Sequence, residues 1–193
     1  LYNNWYMLYN NTELRILEQV YIKPGTNMRG LSKSLKLGMP SIQCGLRKVK
    51  NLVKKEKSGN QIKFYIDYSE EDIIPALYFV ESSRLKKLPS KVRITVMDFL
   101  KELKEKPLIS VVFGSYAKED YNKDSDVDIL LVFQDLKDRK NLERIARNAS
   151  MKTNVKLSPV YLNYEVFKES FHNSSKKFFS DLKKDKILLN GIE

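Results

Sequence analysis

Two apolar runs limit the chain more than any other feature. Residues 108–113 (Leu-Ile-Ser-Val-Val-Phe) are closed by Pro107 on one side and Gly114 on the other. Residues 126–133 (Asp-Val-Asp-Ile-Leu-Leu-Val-Phe) are almost wholly apolar after their two acids. Short runs of this kind, bounded by chain breakers, suit buried strands. A chain of 193 residues with 42% apolar side chains can enclose them in a real core, and wholesale disorder is excluded. No stretch approaches the ~20 consecutive apolar residues of a membrane-spanning helix.

The two acids of the second run are the chemically informative pair. Residues i and i+2 of a strand face the same way, about 6.5–7 Å apart along the chain, so Asp126 and Asp128 project together from one end of a buried sheet. Carboxylates held side by side repel and raise each other's pKa unless a cation lies between them. Two Mg²⁺ ions about 3.5–4 Å apart suit such an arrangement and would in turn hold a triphosphate. At the end of the first run, Gly114 lets backbone approach phosphate closely. Ser115 supplies a hydroxyl and an N–H where a helix can start.

Gly114-Ser115, ten intervening residues and then Asp126-x-Asp128 form a spacing that resembles the signature of the nucleotidyltransferase superfamily that includes DNA polymerase beta. The wording Gly114-Ser-Tyr-Ala-Lys118 and Ser125-Asp-Val-Asp128 is most similar to its minimal bacterial and archaeal members, over roughly residues 90 to 190. The resemblance implies an α+β unit, a small mixed sheet flanked by helices. It implies Asp126 and Asp128 as catalytic Mg²⁺ ligands, and Gly114, Ser115 and Lys118 as the nucleotide-binding residues. The implied reaction is in-line attack of a hydroxyl on the α-phosphate of ATP or another NTP, with release of pyrophosphate. Two positions depart from the family. Glu119 stands where glycine is frequent. The strand expected to carry a third, metal-binding carboxylate, residues 154–162, has Lys156 and Ser158 at the candidate positions. Glu165 lies beyond that strand and would serve only if the chain folds back. Transfer, and nucleotide binding without transfer, both stay open.

The net charge of +11 is concentrated. Residues 23–63 hold eleven Lys and Arg against Glu56 alone, which points to a polyanionic partner. In the same region the apolar spacing predicts a helix over residues 12–22 with Thr12 as its cap, and Asn27 caps a second over 28–36. Ser41 caps a third running through Ile42, Leu46, Val49 and Val53. A turn at 56–61 and a strand at 62–67 follow, and residues 53–55 also suit the strand before that turn. This order resembles a winged helix-turn-helix over residues 12–68. That resemblance implies a third helix in the DNA major groove and a hairpin wing on the backbone. The outward candidates are Ser41, Gln43, Arg47, Lys48, Lys50 and Lys54 on the helix, with Lys57, Asn60 and Lys63 on the wing. Lysines would neutralise phosphates, while Gln43 and Arg47 can make two-pronged contacts to base edges.

The expected organisation is therefore a winged-helix domain at 1–68, a helical connector at 69–89 and a nucleotidyltransferase domain at 90–193. Helices are expected at 70–87, 90–106, 138–149 and 171–184, and a last strand at 187–189. His172 and Cys44 receive no chemical role, and the aromatic group Tyr2, Trp5, Tyr6 and Tyr9 is expected to pack on its own domain. One Cys and no leader pattern suit a reduced, cytoplasmic protein. Three functions fit. The first is an Mg²⁺-dependent nucleotidyltransferase that also binds DNA and acts on a protein or small-molecule hydroxyl, with a helical toxin-like protein as one conceivable acceptor. The second is a transcriptional regulator whose second domain only senses nucleotide. The third is a transferase directed to RNA. Winged-helix regulators commonly act as dimers, so a homodimer is also left open.

Overall fold

The computed structural model describes residues 11–172 and 177–190. The aromatic group at Tyr2, Trp5, Tyr6 and Tyr9 lies outside the described residues, as does the side chain of His172. The chain divides into two units between Val80 and Glu81.

The first unit is built from α1 (Asn11–Ile22), the two-residue β1 (Thr26–Asn27), α2 (Met28–Leu35), α3 (Met39–Lys48) and the strands β2 (Val53–Ser58) and β3 (Gln61–Ile66). Asn27 caps α2 as its sequence predicts, its side chain accepting from the Gly30 N–H at 2.8 Å. The third helix differs from expectation. It starts at Met39 with Gly38 at the cap and Pro40 in its first turn, so Ser41 lies inside it. It ends at Lys48, because Val49 turns the chain and Val53 begins β2. Lys50 therefore sits in a turn and Lys54 on a strand, not on the helix. The hairpin is longer than predicted, with Ser58 opposite Gln61 and only Gly59 and Asn60 between the strands. β3 also pairs with β1, giving the order β1-β3-β2.

Ile16, Val20, Leu31, Ile42, Phe64 and Ile66 form the centre of this core. Gly45 of α3 faces α1 so closely that a Cβ there would lie 2.4 Å from Ile16 Cδ1. α4 (Ile73–Lys87) follows, with Pro75 in its first turn, where a missing N–H costs nothing. Ile73, Ala76, Leu77 and Val80 of this helix belong to the first core. Leu85 and Leu88 pack in the second.

The second unit continues with α5 (Ser90–Glu102), β4 (Ile109–Phe113), α6 (Gly114–Lys118), β5 (Val127–Phe133), α7 (Arg139–Thr153) and β6 (Leu157–Asn163). It closes with α8 (Tyr164–His172), α9 (Lys177–Lys184) and β7 (Ile187–Asn190). α5 stops four residues earlier than its charge-rich tail suggests, at Glu102. The stretch read as one helix from Phe171 contributes to two, α8 and α9. The sheet order is β6-β5-β4-β7. β5 runs parallel to β6, and β4 runs antiparallel to β5 and β7, so the sheet is mixed.

Side chains alternate along β5 as a strand requires. Ile129, Leu131 and Phe133 enter the core with Val96 and Phe99 of α5 and Ile145 and Ala149 of α7. Leu130 and Val132 pack on the other face with Phe179 and Leu182 of α9 and Phe167 of α8. Both faces are covered, which is why the run is apolar throughout. Asp128 shares the parity of Leu130 and Val132, so it lies on the α8–α9 face at the start of β5.

Candidate functional site

The site begins at the corner between β4 and α6. Phe113 is the register partner of Asp128, so the next residue, Gly114, meets that carboxylate directly. Gly114 has φ +70°, and a Cβ on it would lie 2.2 Å from Asp128 Oδ2. Only glycine lets the chain turn here without displacing the acid. Ser115 then stands in the first turn of α6, half-buried, and Lys118 closes that helix, exposed. The loop back to β5 is tied locally. The Ser125 hydroxyl accepts from the Asn122 N–H at 2.9 Å, and Asn122 Oδ1 accepts from the Asp124 N–H at 2.9 Å.

Asp126 immediately precedes β5 and Asp128 is its second residue. The two are close enough that Asp126 raises the pKa of Asp128, although burial is the larger cause. A hydrogen bond from the Ser158 side chain opposes both. Ser158 is the register partner of Asp128 on β6, and Lys156 lies two residues before it. The Lys156 carbonyl accepts from the Val127 N–H at 2.8 Å, which fixes the backbone of both segments. Lys156 Nζ in turn reaches Asp126 Oδ2 at 2.6 Å. The two positions at which a third carboxylate is expected therefore each hold one of the two aspartates, one as a cation and one as a hydroxyl donor. The Lys156 side chain is 76% exposed against 33% for Asp126. A pair so open to water is worth only about 0.2–1 kcal/mol, so it orders the site without locking it.

Glu165 does not supply the missing acid. It lies in the first turn of α8, after the end of β6, and Asn163 at that end is five strand positions beyond Ser158. That places it about 16 Å along the sheet from Asp128. Among the described residues no group of three or more His, Cys, Asp or Glu could hold a metal ion. Asp126 and Asp128 fit one divalent cation, which would relieve the raised pKa of Asp128. A second ion lacks a third ligand here.

A family model described as a nucleotidyltransferase domain matches residues 93–189, which takes in the Gly114 corner, both aspartates, β4, β5, β6 and all of β7 but its last residue. The chain belongs to the nucleotidyltransferase family. A protein of Methanocaldococcus jannaschii named "Putative protein adenylyltransferase" is 36% identical over 72 residues, which is 36% of this chain and 72% of that protein. No solved structure matches the chain.

In this nucleotidyltransferase unit the departure at Glu119 has a structural meaning. Glu119 is the C-cap of α6 at φ +62°, the left-handed conformation that glycine adopts without strain. Its N–H caps the Ser115 and Tyr116 carbonyls, so the helix ends correctly despite the side chain. Three further groups support α6 and were not predicted from the sequence. Tyr116 stacks on Tyr121 with ring centroids 4.4 Å apart, and burial, Tyr121 and Asp126 together raise its pKa. Arg84 of α4 donates to the Ala117 carbonyl at 3.3 Å and to the Lys186 carbonyl, and pairs with Glu81 at 3.2 Å. Both members of that ion pair are buried, so loss of either would cost about 3–5 kcal/mol. Beside the corner, Lys118 and Gly114 line a cavity of about 200 Å³ with Phe113, Phe178, Asp181, Leu182 and Asp185.

The basic candidates of the first unit are distributed over three elements. Ser41, Gln43, Arg47 and Lys48 lie on α3 with exposed side chains, and Lys50 follows in the turn. Lys54 and Lys57 are exposed on β2, and Lys63 is half-buried on β3. Lys48 is already engaged. Its Nζ lies 2.7 Å from Oε1 of the buried Glu13, and that hydrogen bond raises its pKa. Lys54 pairs at 3.5 Å with Glu56, a contact exposed on both sides. Among the described residues, no helix is long and apolar enough to cross a membrane.

Proposed function

We propose that the chain transfers a nucleotide, with ATP as the donor, to a hydroxyl on an acceptor protein, and that its first unit is a winged helix-turn-helix that binds DNA. The observation that carries the reading is the meeting of Asp126 and Asp128 with the Gly114–Ser115 corner at one end of β5. In this reading Asp126 and Asp128 hold Mg²⁺, which supplies charge neutralisation at the phosphates. Ser115 and Lys118 grip the distal phosphates, and Gly114 leaves room for them. The acceptor hydroxyl gives up its proton to solvent as its oxygen bonds to the α-phosphorus; the bond from that phosphorus to the α–β bridging oxygen breaks, and its electron pair leaves in line with pyrophosphate. ATP and a protein acceptor are favoured by the name of the M. jannaschii relative. A helical partner protein is one form such an acceptor would take.

DNA binding draws support from the concentration of charge in residues 23–63 and from the order of helices α1–α3 followed by the β2–β3 hairpin. The domain limits in this reading are 1–68 and 90–193, with α4 as the connector between them.

One observation favours a second reading, nucleotide sensing without transfer. Lys156 and Ser158 occupy the positions from which an acid would help to activate the hydroxyl, an assistance commonly worth about 10²–10⁴-fold.

Incubation with α-labelled ATP, Mg²⁺ and cell lysate separates the two. A labelled acceptor protein with the wild-type chain, and none with Asp126→Asn/Asp128→Asn, is the expected outcome. Binding of Mg-ATP without any labelling would select the sensor. Unchanged binding in the double variant would refute the site itself.

A further inference from the structure

We propose that Lys156 is an exchangeable counterion, held by Asp126 before nucleotide binds and transferred to the phosphates when a divalent ion and a triphosphate arrive. The inference rests on the nucleotide-binding reading above and adds an order of partners to it. Lys156 Nζ is 2.6 Å from Asp126 Oδ2, and its side chain is the more exposed of the two by a wide margin. Among the described residues Asp126 is its one side-chain partner, so nothing else pins the ammonium. The backbone, by contrast, is fixed, because the Lys156 carbonyl takes the Val127 N–H. The flexible stem can therefore swing its head between neighbouring anions but cannot leave the site.

Charge makes the exchange directional. Two carboxylates and one ammonium leave the group with one net negative charge, a modest attraction for a divalent ion. A cation held by Asp126 and Asp128 would share the Asp126 carboxylate with Lys156, so metal alone must compete with the lysine. A triphosphate offers the displaced ammonium a denser negative charge and removes that competition. Metal and nucleotide should each strengthen the binding of the other, by reciprocal linkage.

Removal of the ammonium should then have opposite effects on the two ligands. The test compares the full chain with Lys156→Met, which keeps the stem, and Lys156→Arg, which keeps the charge. Mn²⁺ affinity is measured without nucleotide, and affinity for a nonhydrolysable ATP analogue is measured with Mg²⁺. Lys156→Met should bind Mn²⁺ about two- to fivefold more tightly, since an exposed competing pair is lost. It should bind the analogue about tenfold more weakly, since a charge-assisted phosphate contact is lost, and Lys156→Arg should restore most of that loss. Unchanged affinities, or two shifts in the same direction, would overturn the exchange while leaving nucleotide binding intact. A wild-type chain that binds neither Mn²⁺ nor the analogue would overturn both readings together.

Discussion

Asp128 is the residue at which the second unit accepts a cost for its chemistry. Burial and the neighbouring Asp126 hold its pKa above the usual carboxylate range, against the help of Ser158. A carboxyl whose folded pKa exceeds its unfolded one contributes stability that is present below the unfolded pKa and lost as pH rises through the folded pKa. At neutral pH the ionised Asp128 therefore weakens the fold. Asp128→Asn should melt about 1–3 °C above the wild-type chain near pH 7, and the difference should vanish below about pH 4, where both states are protonated. Thermal melts of the full chain at the two pH values check this, and a lower melting temperature at neutral pH would contradict it. Asp126, Asp128, Gly114 and Ser115 were legible because strand periodicity and a fixed spacing bring them together with no knowledge of the rest. The bonds from Lys156 and Ser158 were not. They depend on the parallel register of segments about thirty residues apart, which no local pattern encodes.

At the scale of elements, the corner from β4 into α6 depends on a single backbone conformation. Gly114→Ala combines a left-handed φ with a Cβ 2.2 Å from a carboxylate oxygen. It should cost about 2–4 kcal/mol of stability. Urea unfolding would measure the loss, and a wild-type midpoint would show that Asp128 can step aside freely. The elements themselves were read well where their signals are local. Asn27 caps α2, and the two apolar runs became β4 and β5. Boundaries failed where tertiary pairing decides them. α3 yields to β2 at Val53 because that residue pairs with Ile66, and β1 exists only through its two partners on β3. α8 was missed because its start, Tyr164, follows β6 with no glycine or proline between them.

For the whole molecule the uneven charge is the feature with the widest reach. A segment with eleven Lys and Arg against one acid, residues 23–63 of the first unit, should hold duplex DNA through phosphate contacts and release counterions as it does so. With about four to six such contacts, affinity of the full chain should fall about 10²–10³-fold between about 50 and 200 mM salt. Fluorescence anisotropy with a labelled duplex measures the slope, and a flat response would remove the DNA reading. Arg47→Ala should relax any sequence preference, whereas Lys57→Ala should weaken all duplexes alike. Two bodies could be foreseen from composition and spacing. The division inside α4 could not, because the helix carries apolar residues suited to both cores along its length.

β7 comes latest in the sequence among the described strands, yet it pairs with β4, formed from residues more than seventy positions earlier. During synthesis β4 and β5 can zip together while one flank of β4 still has open backbone groups. The nascent sheet is sealed only when residues 187–190 have left the ribosome, so this unit completes its fold late and is most vulnerable to misassociation until then.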